Sequence, residues 1–177
     1  VSGAYVWAHP GKKLRGSVVG CGQLNEWGGN KELVWSLLSC PAHDGIRHLG
    51  MDLSGVLQRE PAMHKYDDSW QGFTWLDFSD VNASVYSFIR RADNSPPILW
   101  VFNFTPVVRS NYRVPCPDGG TWKEVLNTDS MYYGGSNVGN PYESTADNTG
   151  VGNAPSISLT LPPLAAVALM PVQPVIK

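Results

Sequence analysis

The sequence lacks long hydrophobic runs and basic runs, and each absence excludes a class of partner. Its two strongest apolar stretches, PPILWVFNF (96–104) and PPLAAVALM (162–170), are too short to cross a bilayer as helices. The 13 lysines and arginines do not cluster, and 15 acidic residues bring the formal net charge to −2. We therefore expect neither a membrane nor a nucleic acid as a partner.

Cysteine is also scarce, since Cys21, Cys40 and Cys116 are odd in number and widely spaced. Without a C-x-x-C pair there is no zinc signature and no disulfide framework, so we expect no metal and no cofactor. Unpaired thiols are typical of a reducing compartment, which predicts a cytoplasmic location. The first residues lack a signal-peptide pattern. The start at Val1 in place of Met leads us to expect a processed chain or a piece of a longer one.

Turn residues and aromatic residues are abundant: 18 glycines, 14 prolines, seven tryptophans and seven tyrosines. From Gly72 onward, short apolar segments alternate in side-chain character and are separated by turn residues. This pattern predicts an antiparallel β-sandwich domain over residues 71–177. Six aromatic residues in these segments are expected in the sandwich core or as cross-strand partners: Trp75, Tyr86, Phe88, Trp100, Phe102 and Phe104. The predicted strands are 72–80, 83–92, 96–105, 111–117, 120–129, 155–163 and 164–172.

Residues 1–70 have a different, partly helical pattern. A short helix should end at His9-Pro10-Gly11, and RGSVVGCG (15–22) could form a short buried strand. A longer helix is predicted within 42–66, with His43 or Asp44 as its cap and Glu60-Pro61 at its end. Three glycines within it, Gly45, Gly50 and Gly55, each weaken the helix by roughly 1 kcal/mol relative to alanine. Its apolar stripe consists of Ile46, Leu49, Leu53, Val56 and Leu57.

The segment LNTDSMYYGGSNVGN (126–140) is long, polar and rich in asparagine and glycine. Sugar rings pack their C–H faces on aromatic rings, while polar neighbours bond the hydroxyls. Tyr132, Tyr133 and the nearby Trp122 stand beside Asn137 and other polar side chains, so these four are candidate sugar contacts. The alternative is that Trp122 belongs to the core, which we favour for it. For the tyrosines, packing of the loop against the sandwich is an equal alternative.

Seven motifs together span nearly the whole chain: AHPGKKL (8–14), GQLNEW (22–27), REPAMHKYD (59–67), SVYSFIRR (84–91), VFNFTPV (101–107), WKEVLNTDSMYYGGSNVGN (122–140) and SLTLPPLAAVAL (158–169). They occur in the order expected of the 1,4-α-glucan (glycogen) branching enzymes of the α-amylase superfamily. The sequence therefore resembles this family, most specifically through EVLNTDSMYYGGSNVGN and NFTPV.

The resemblance implies the C-terminal part of a branching enzyme, with residues 1–70 as a remnant of the last strand and helix of a (β/α)8 barrel. A complete barrel needs about 250 residues and cannot fit here. The family transfers an α-1,4-glucan segment to a 6-hydroxyl, using carboxylates that the resemblance places upstream of Val1. We therefore expect no catalytic residue, and no branching activity from this chain alone. Glu26 and Trp27 match a loop at the mouth of the family's barrel and are further candidate glucan contacts.

The match weakens in the segment that would form the eighth barrel strand. Arg15, Gly16 and Ser17 stand where the family has large apolar residues, and Gly20 stands where it has an acidic one. This departure lowers the expectation that residues 1–70 keep a barrel-like structure. A barrel remnant would also expose an apolar face, so we expect self-association through residues 1–70.

Two other functions are consistent with the residues. The first is a stand-alone carbohydrate-binding module, which requires exposed aromatic rings. The second is a small esterase-like hydrolase with a Ser–His pair. The sequence GGSNVG around Ser136 approaches a nucleophile elbow but has Val138 where the second glycine should be. Metal binding by His43, Asp44 and His48 is disfavoured, since the two histidines are poorly spaced on a helix for a shared metal ion.

Overall fold

The computed structural model describes residues 1–13, 20–25, 30–150 and 154–172. These residues fold mainly as antiparallel β-structure with a smaller helical part, as the sequence predicts. Short 3-10 turns cover Trp35–Ser39, Pro61–Met63, Trp70–Gly72 and Met131–Tyr133. The helices are α1 (Ser2–Ala8) and α2 (Pro41–Arg59). The strands are β1 (Phe73–Asp77), β2 (Val85–Ala92), β3 (Ser95–Asn103), β4 (Arg109–Pro115), β5 (Thr121–Asn127), β6 (Ser144–Thr145), β7 (Ser156–Leu161) and β8 (Ala165–Pro171).

Within the described residues, the strands form two sheets. The larger has six strands in the order β1-β2-β3-β8-β5-β6, and the smaller pairs β4 with β7. All seven strands predicted from the sequence are present. The extra strand, β6, has two residues, which is too short for side-chain alternation to indicate. β2 and β3 form a hairpin whose turn contains Asn94 in the left-handed region, with a φ of 59°.

The space between the two sheets is filled by aliphatic side chains. β2, β3 and β8 contribute residues such as Ile89, Val101 and Val167, and β7 contributes Leu159 from the opposite sheet. Each of these four is at most 1% exposed. The sandwich is therefore held by apolar burial between its sheets, as two-sheet domains require.

A second core lies on the other face of the six-stranded sheet, where helices cover it. Phe88, Trp100 and Phe102 are fully buried there and belong to the same cluster as Ala8 and Met63. The larger rings are cross-strand partners, as expected, with Trp75 opposite Phe88 and Phe88 opposite Trp100. They nevertheless pack against the helical layer and not between the sheets. The prediction that they could fill the sandwich core is wrong, because the N-terminal segment covers their face.

The two helices lie near their predicted positions. α1 ends before His9, as the Pro-Gly sequence indicates. α2 begins at Pro41 after Cys40, and no side chain in the described part of the chain caps its first turn. The proposed caps are therefore wrong: Asp44 lies inside the first turn, where a carboxylate favours the helix dipole. The stripe from Leu49 to Leu57 packs on the second core, whereas Ile46 is 38% exposed.

The strand predicted at 15–22 lies largely outside the described residues. Gly20, Cys21 and Gly22, which are described, form a turn. In the described part of the chain, no helix combines the length and apolarity that a membrane span requires.

One buried arginine joins the helical segment to the sandwich. Arg90 on β2 is 0% exposed. Its guanidinium donates to the carbonyls of Ala8 at 2.7 Å, Met63 at 2.8 Å and Gly72 at 3.1 Å. It also donates to the Asp67 carboxylate at 2.8 Å. Four chain segments are thus tied to one strand, because a planar fork of five N–H groups can serve several acceptors at once.

Candidate functional site

The polar segment 126–140 follows β5 and folds around one carboxylate. Asp129 Oδ1 accepts the backbone N–H of Ser136 at 3.0 Å. Its Oδ2 accepts the Ser136 hydroxyl at 2.6 Å and the N–H of Val138 at 3.0 Å. The carbonyl of Asp129 accepts the N–H of Asn137 at 2.7 Å. The loop is therefore closed on itself by its own side chains, as Asp and Asn turns allow.

Glycine is required in this loop for two separate reasons. Gly134 has a φ of 84°, which side-chain-bearing residues rarely adopt. Gly135 approaches so closely that a Cβ would lie 2.2 Å from the carbonyl oxygen of Asp129. Asn127 completes the turn by donating to the carbonyl of Val138 at 2.8 Å. Residues 126–140 therefore form an ordered platform and not a passive linker.

The platform is anchored to α2 through Tyr133. Its phenol donates to Asp52 Oδ2 at 2.7 Å. Burial, together with this carboxylate, raises the pKa of Tyr133 well above its usual value. The backbone of Tyr133 also meets Gly45, where a Cβ would lie 2.3 Å from the Tyr133 carbonyl oxygen. Tyr133 thus faces the body of the protein and fixes the loop in place.

Tyr132 points outward from the same turn and is 60% exposed. Its ring lies 5.2 Å from that of Tyr133, centroid to centroid, at 64°. It lies 5.1 Å from the ring of His48, at 40°. Asn137 is also exposed and accepts the N–H of Met131 at 3.3 Å through Oδ1. The loop therefore presents an exposed aromatic ring that packs beside two neighbouring rings.

Of the remaining candidate contacts, Trp122 is the one that lies within the described residues. Trp122 is 1% exposed, belongs to the core between the sheets and donates from Nε1 to the Gly119 carbonyl at 2.7 Å. Its ring is not available to a ligand in this structure. Glu26 and Trp27 lie outside the described residues.

Sequence reasoning missed the α2 residues that position the loop. Gly45, His48 and Asp52 are spaced by three and four residues, which places them on one face of a helix. This helical spacing is the sequence feature that could have identified the three residues as one group. Nothing in the local sequence, however, indicates that residues 126–140 would be their partner.

The residues considered for hydrolysis or metal binding are engaged otherwise. The Ser136 hydroxyl donates into the loop's own carboxylate. His43 Nδ1 lies 2.8 Å from the carbonyl oxygen of Cys21, and Asp44 pairs with Arg47 at 2.7 Å. Among the described residues, no three His, Cys, Asp or Glu side chains come together as a metal site would require.

Fold and site together define an all-β sandwich domain with a helical layer on one outer face and a rigid aromatic loop. A family model for the alpha amylase C-terminal all-beta domain matches residues 75–172. The chain belongs to this family. Among solved structures, the catalytic module of a glycogen-degrading pneumococcal virulence factor resembles it with a TM-score of 0.52 at 13% identity. That match covers 81% of this chain and 20% of the other, and supports the fold alone.

The sequence is similar over nearly its whole length to curated 1,4-alpha-glucan branching enzymes, which confirms the resemblance seen in the motifs. The relative from Oleidesulfovibrio alaskensis is 59% identical over 169 residues, which is 96% of this chain and 26% of that enzyme. The relative from Aquifex aeolicus is 47% identical over 167 residues, covering 93% of this chain and 26% of that enzyme. The chain thus spans about a quarter of the length of the curated relatives it matches.

Proposed function

We propose that this chain is the C-terminal, non-catalytic part of a 1,4-α-glucan branching enzyme, and that it supports the catalytic barrel and contacts the glucan. The observation that carries the proposal is the exposed ring of Tyr132, held on a rigid loop in a chain 59% identical to such an enzyme. No catalytic residue is assigned. The reaction, glucan transfer to a 6-hydroxyl, belongs in this proposal to the rest of the enzyme.

The proposed contact relies on ring stacking. Tyr132 offers an exposed aromatic surface for the C–H face of a glucose unit, and the exposed Asn137 can bond its hydroxyls. Tyr133 and Trp122 are assigned supporting roles, since Tyr133 anchors the loop and Trp122 fills the core. Glu26 and Trp27 keep the role of glucan contacts that the family resemblance gives them.

We place the domain boundary between residues 70 and 71. The family match beginning at residue 75 supports this division. Residues 1–70 would then be the barrel-derived part, packed on the outer face of the sandwich. In the complete enzyme this packing would fix the sandwich relative to the barrel.

Affinity electrophoresis in gels containing amylopectin tests glucan contact. The wild-type chain should migrate more slowly as amylopectin increases, and the double variant Tyr132→Ala/Tyr133→Ala should not. Wild-type mobility that is independent of amylopectin contradicts the proposal. A branching assay on amylose, read by iodine absorbance, should show no activity from the chain alone.

Two alternatives have distinct outcomes. A stand-alone carbohydrate-binding module would also be retarded in the gel. Its gene, however, would not encode the other three quarters of a branching enzyme upstream of this chain. A small hydrolase would cleave p-nitrophenyl esters or glycosides after stringent purification. The hydroxyl of Ser136 is held by Asp129, so we expect no such cleavage.

We also propose that the isolated chain self-associates and that its compartment is the cytoplasm. Residues 1–70 expose Leu24, Trp35 and Trp70 at 78%, 65% and 85%, which favours association of the isolated chain. Size-exclusion chromatography that gives a clean monomer would contradict this. The three cysteines are free thiols, which supports the cytoplasm as the compartment.

A further inference from the structure

The exposed ring of Tyr132 has its nearest aromatic neighbour outside the loop on α2. His48 lies 5.1 Å from it, centroid to centroid, and its side chain is 28% exposed. Any molecule stacked on Tyr132 near this edge therefore also meets α2. The sequence motifs that indicate the glucan contact contain no residue of this helix.

On α2, His48 is part of a connected polar group with Asp44 and Arg47. Arg47 donates from Nε to Asp44 Oδ1 at 2.8 Å, and its Nη2 lies 3.0 Å from His48 Nε2. A guanidinium can only donate, so Nε2 accepts and the proton of a neutral ring resides on Nδ1. That nitrogen lies 3.3 Å from Asp44 Oδ2. The three side chains thus hold one another in fixed orientations.

These side chains remain reachable. Arg47 and Asp44 are 38% and 33% exposed. The Nη1 group of Arg47 donates to Met51 Sδ at 3.2 Å, and a thioether is a weak acceptor that a sugar hydroxyl can replace. The charges of Arg47 and Asp44 also cancel within the pair. A pair without net charge is compatible with a neutral polyol such as a sugar. A cation without a partner would instead favour an anionic ligand.

Donor and acceptor beside an aromatic ring match the chemistry of a sugar. Neighbouring hydroxyls of a pyranose each donate one hydrogen bond and accept others, so a carboxylate and a guanidinium side by side can serve an adjacent pair. Preorganisation by His48 lowers the ordering cost of binding.

We propose that Arg47 and Asp44, positioned by His48, hydrogen-bond the hydroxyls of the glucose unit stacked on Tyr132. This extends the contact surface from the 126–140 loop onto α2, and it rests on the proposed function. The ligand class is a neutral α-1,4-linked oligosaccharide.

The test measures dissociation constants for amylopectin by affinity electrophoresis and for maltoheptaose by calorimetry. Arg47→Ala and Asp44→Ala should each weaken binding by about tenfold. Arg59→Ala is the matched control, because it removes an exposed arginine from the last turn of the same helix, and it should leave binding unchanged. Thermal unfolding checks each variant for folding.

Each outcome is decisive. If Tyr132→Ala weakens binding but Arg47→Ala and Asp44→Ala do not, the α2 contact is overturned and the proposed function stands. If the wild-type chain binds neither ligand, both are overturned. If Arg47→Ala unfolds, Arg47→Lys replaces it, because lysine keeps the charge but lacks the planar guanidinium. Binding by Arg47→Lys that equals wild-type binding overturns the α2 contact.

Discussion

At the residue scale, the glycines of α2 have different reasons to be there. Gly45 lies where the Tyr133 backbone presses against the helix, and a Cβ would meet its carbonyl oxygen at 2.3 Å. At Gly55 the nearest atoms belong to the flexible end of Arg59, with Nη1 2.7 Å from the Cβ position. The sequence assigns both the same cost in helix propensity. The structure gives them different roles, because Gly45 allows the 126–140 loop to contact α2 and Gly55 serves no such contact.

Substitution of these two glycines should therefore have opposite effects. Gly45→Ala should lower the free energy of unfolding by about 2 kcal/mol or more, since backbone must move to admit the methyl group. Gly55→Ala should raise it by up to about 1 kcal/mol through better helix propensity. Urea denaturation measures both. Equal effects would show that the loop does not press on α2 at Gly45.

Tyr133 predicts a dependence of stability on alkaline pH. Its pKa is raised in the folded state, so its contribution to stability is complete below pH 10 and is lost as the pH rises above that value. The pKa of Tyr112 is raised as well, by burial and by its bond to Asp80, and adds to the same loss.

Tyr133→Phe should therefore flatten the decline of Tm above pH 10 without abolishing it. At neutral pH it should cost about 1 kcal/mol, because the bond to Asp52 is lost. Tyr132→Phe, whose hydroxyl forms no such anchor to α2, serves as the control. An alkaline decline as steep in Tyr133→Phe as in the wild type would contradict the anchoring role.

At the element scale, the strands and the two helices could be predicted, whereas the packing of the helices on the sheet could not. Alternation and turn residues are local signals, and among the described residues they located every strand except the two-residue β6. On β2, side-chain alternation assigns Val85, Ser87 and Ile89 to one face and Tyr86, Phe88 and Arg90 to the other. Local alternation cannot reveal that the second face is buried too, because the cover comes from residues 1–70. The partner of Tyr133 was hidden for the same reason, since Asp52 is distant in sequence.

Arg90 joins the N-terminal segment to the sheet, and we therefore predict a large effect of its substitution. Arg90→Met should lower the free energy of unfolding by about 3 kcal/mol or more, because three buried carbonyls and Asp67 lose their donor. Arg91→Met is the neighbouring control. Arg91 pairs with Asp118 at 2.6 Å, but both side chains are about one third exposed, so less than about 1 kcal/mol is expected. Similar losses would contradict the role of Arg90 in joining the segments.

At the scale of the whole molecule, the N-terminal segment and the sandwich share one of the two cores. Phe88, Trp100 and Phe102 have no exposed surface while Ala4, Ala8, Leu53 and Met63 cover them. The proposed boundary at residue 70 therefore divides two parts that share one hydrophobic core and depend on each other for stability.

Removal of residues 1–70 should expose this aromatic face. We expect the remaining 71–177 chain to bind a hydrophobic dye such as ANS and to aggregate, because a large apolar patch would face water. Light scattering and dye fluorescence measure this against the full chain. A monodisperse 71–177 chain with an unchanged Tm would show that the helical layer is dispensable.

The central claim, that this chain contacts glucan through an anchored aromatic loop, is tested most directly by the affinity of single Tyr132 variants for amylopectin in affinity electrophoresis. Stacking needs the ring and not its hydroxyl, so Tyr132→Phe should bind within about twofold of the wild type. Tyr132→Ala should weaken binding by at least about tenfold, as loss of a sugar-stacking ring would. Equal retardation of the alanine variant and the wild type would contradict the account.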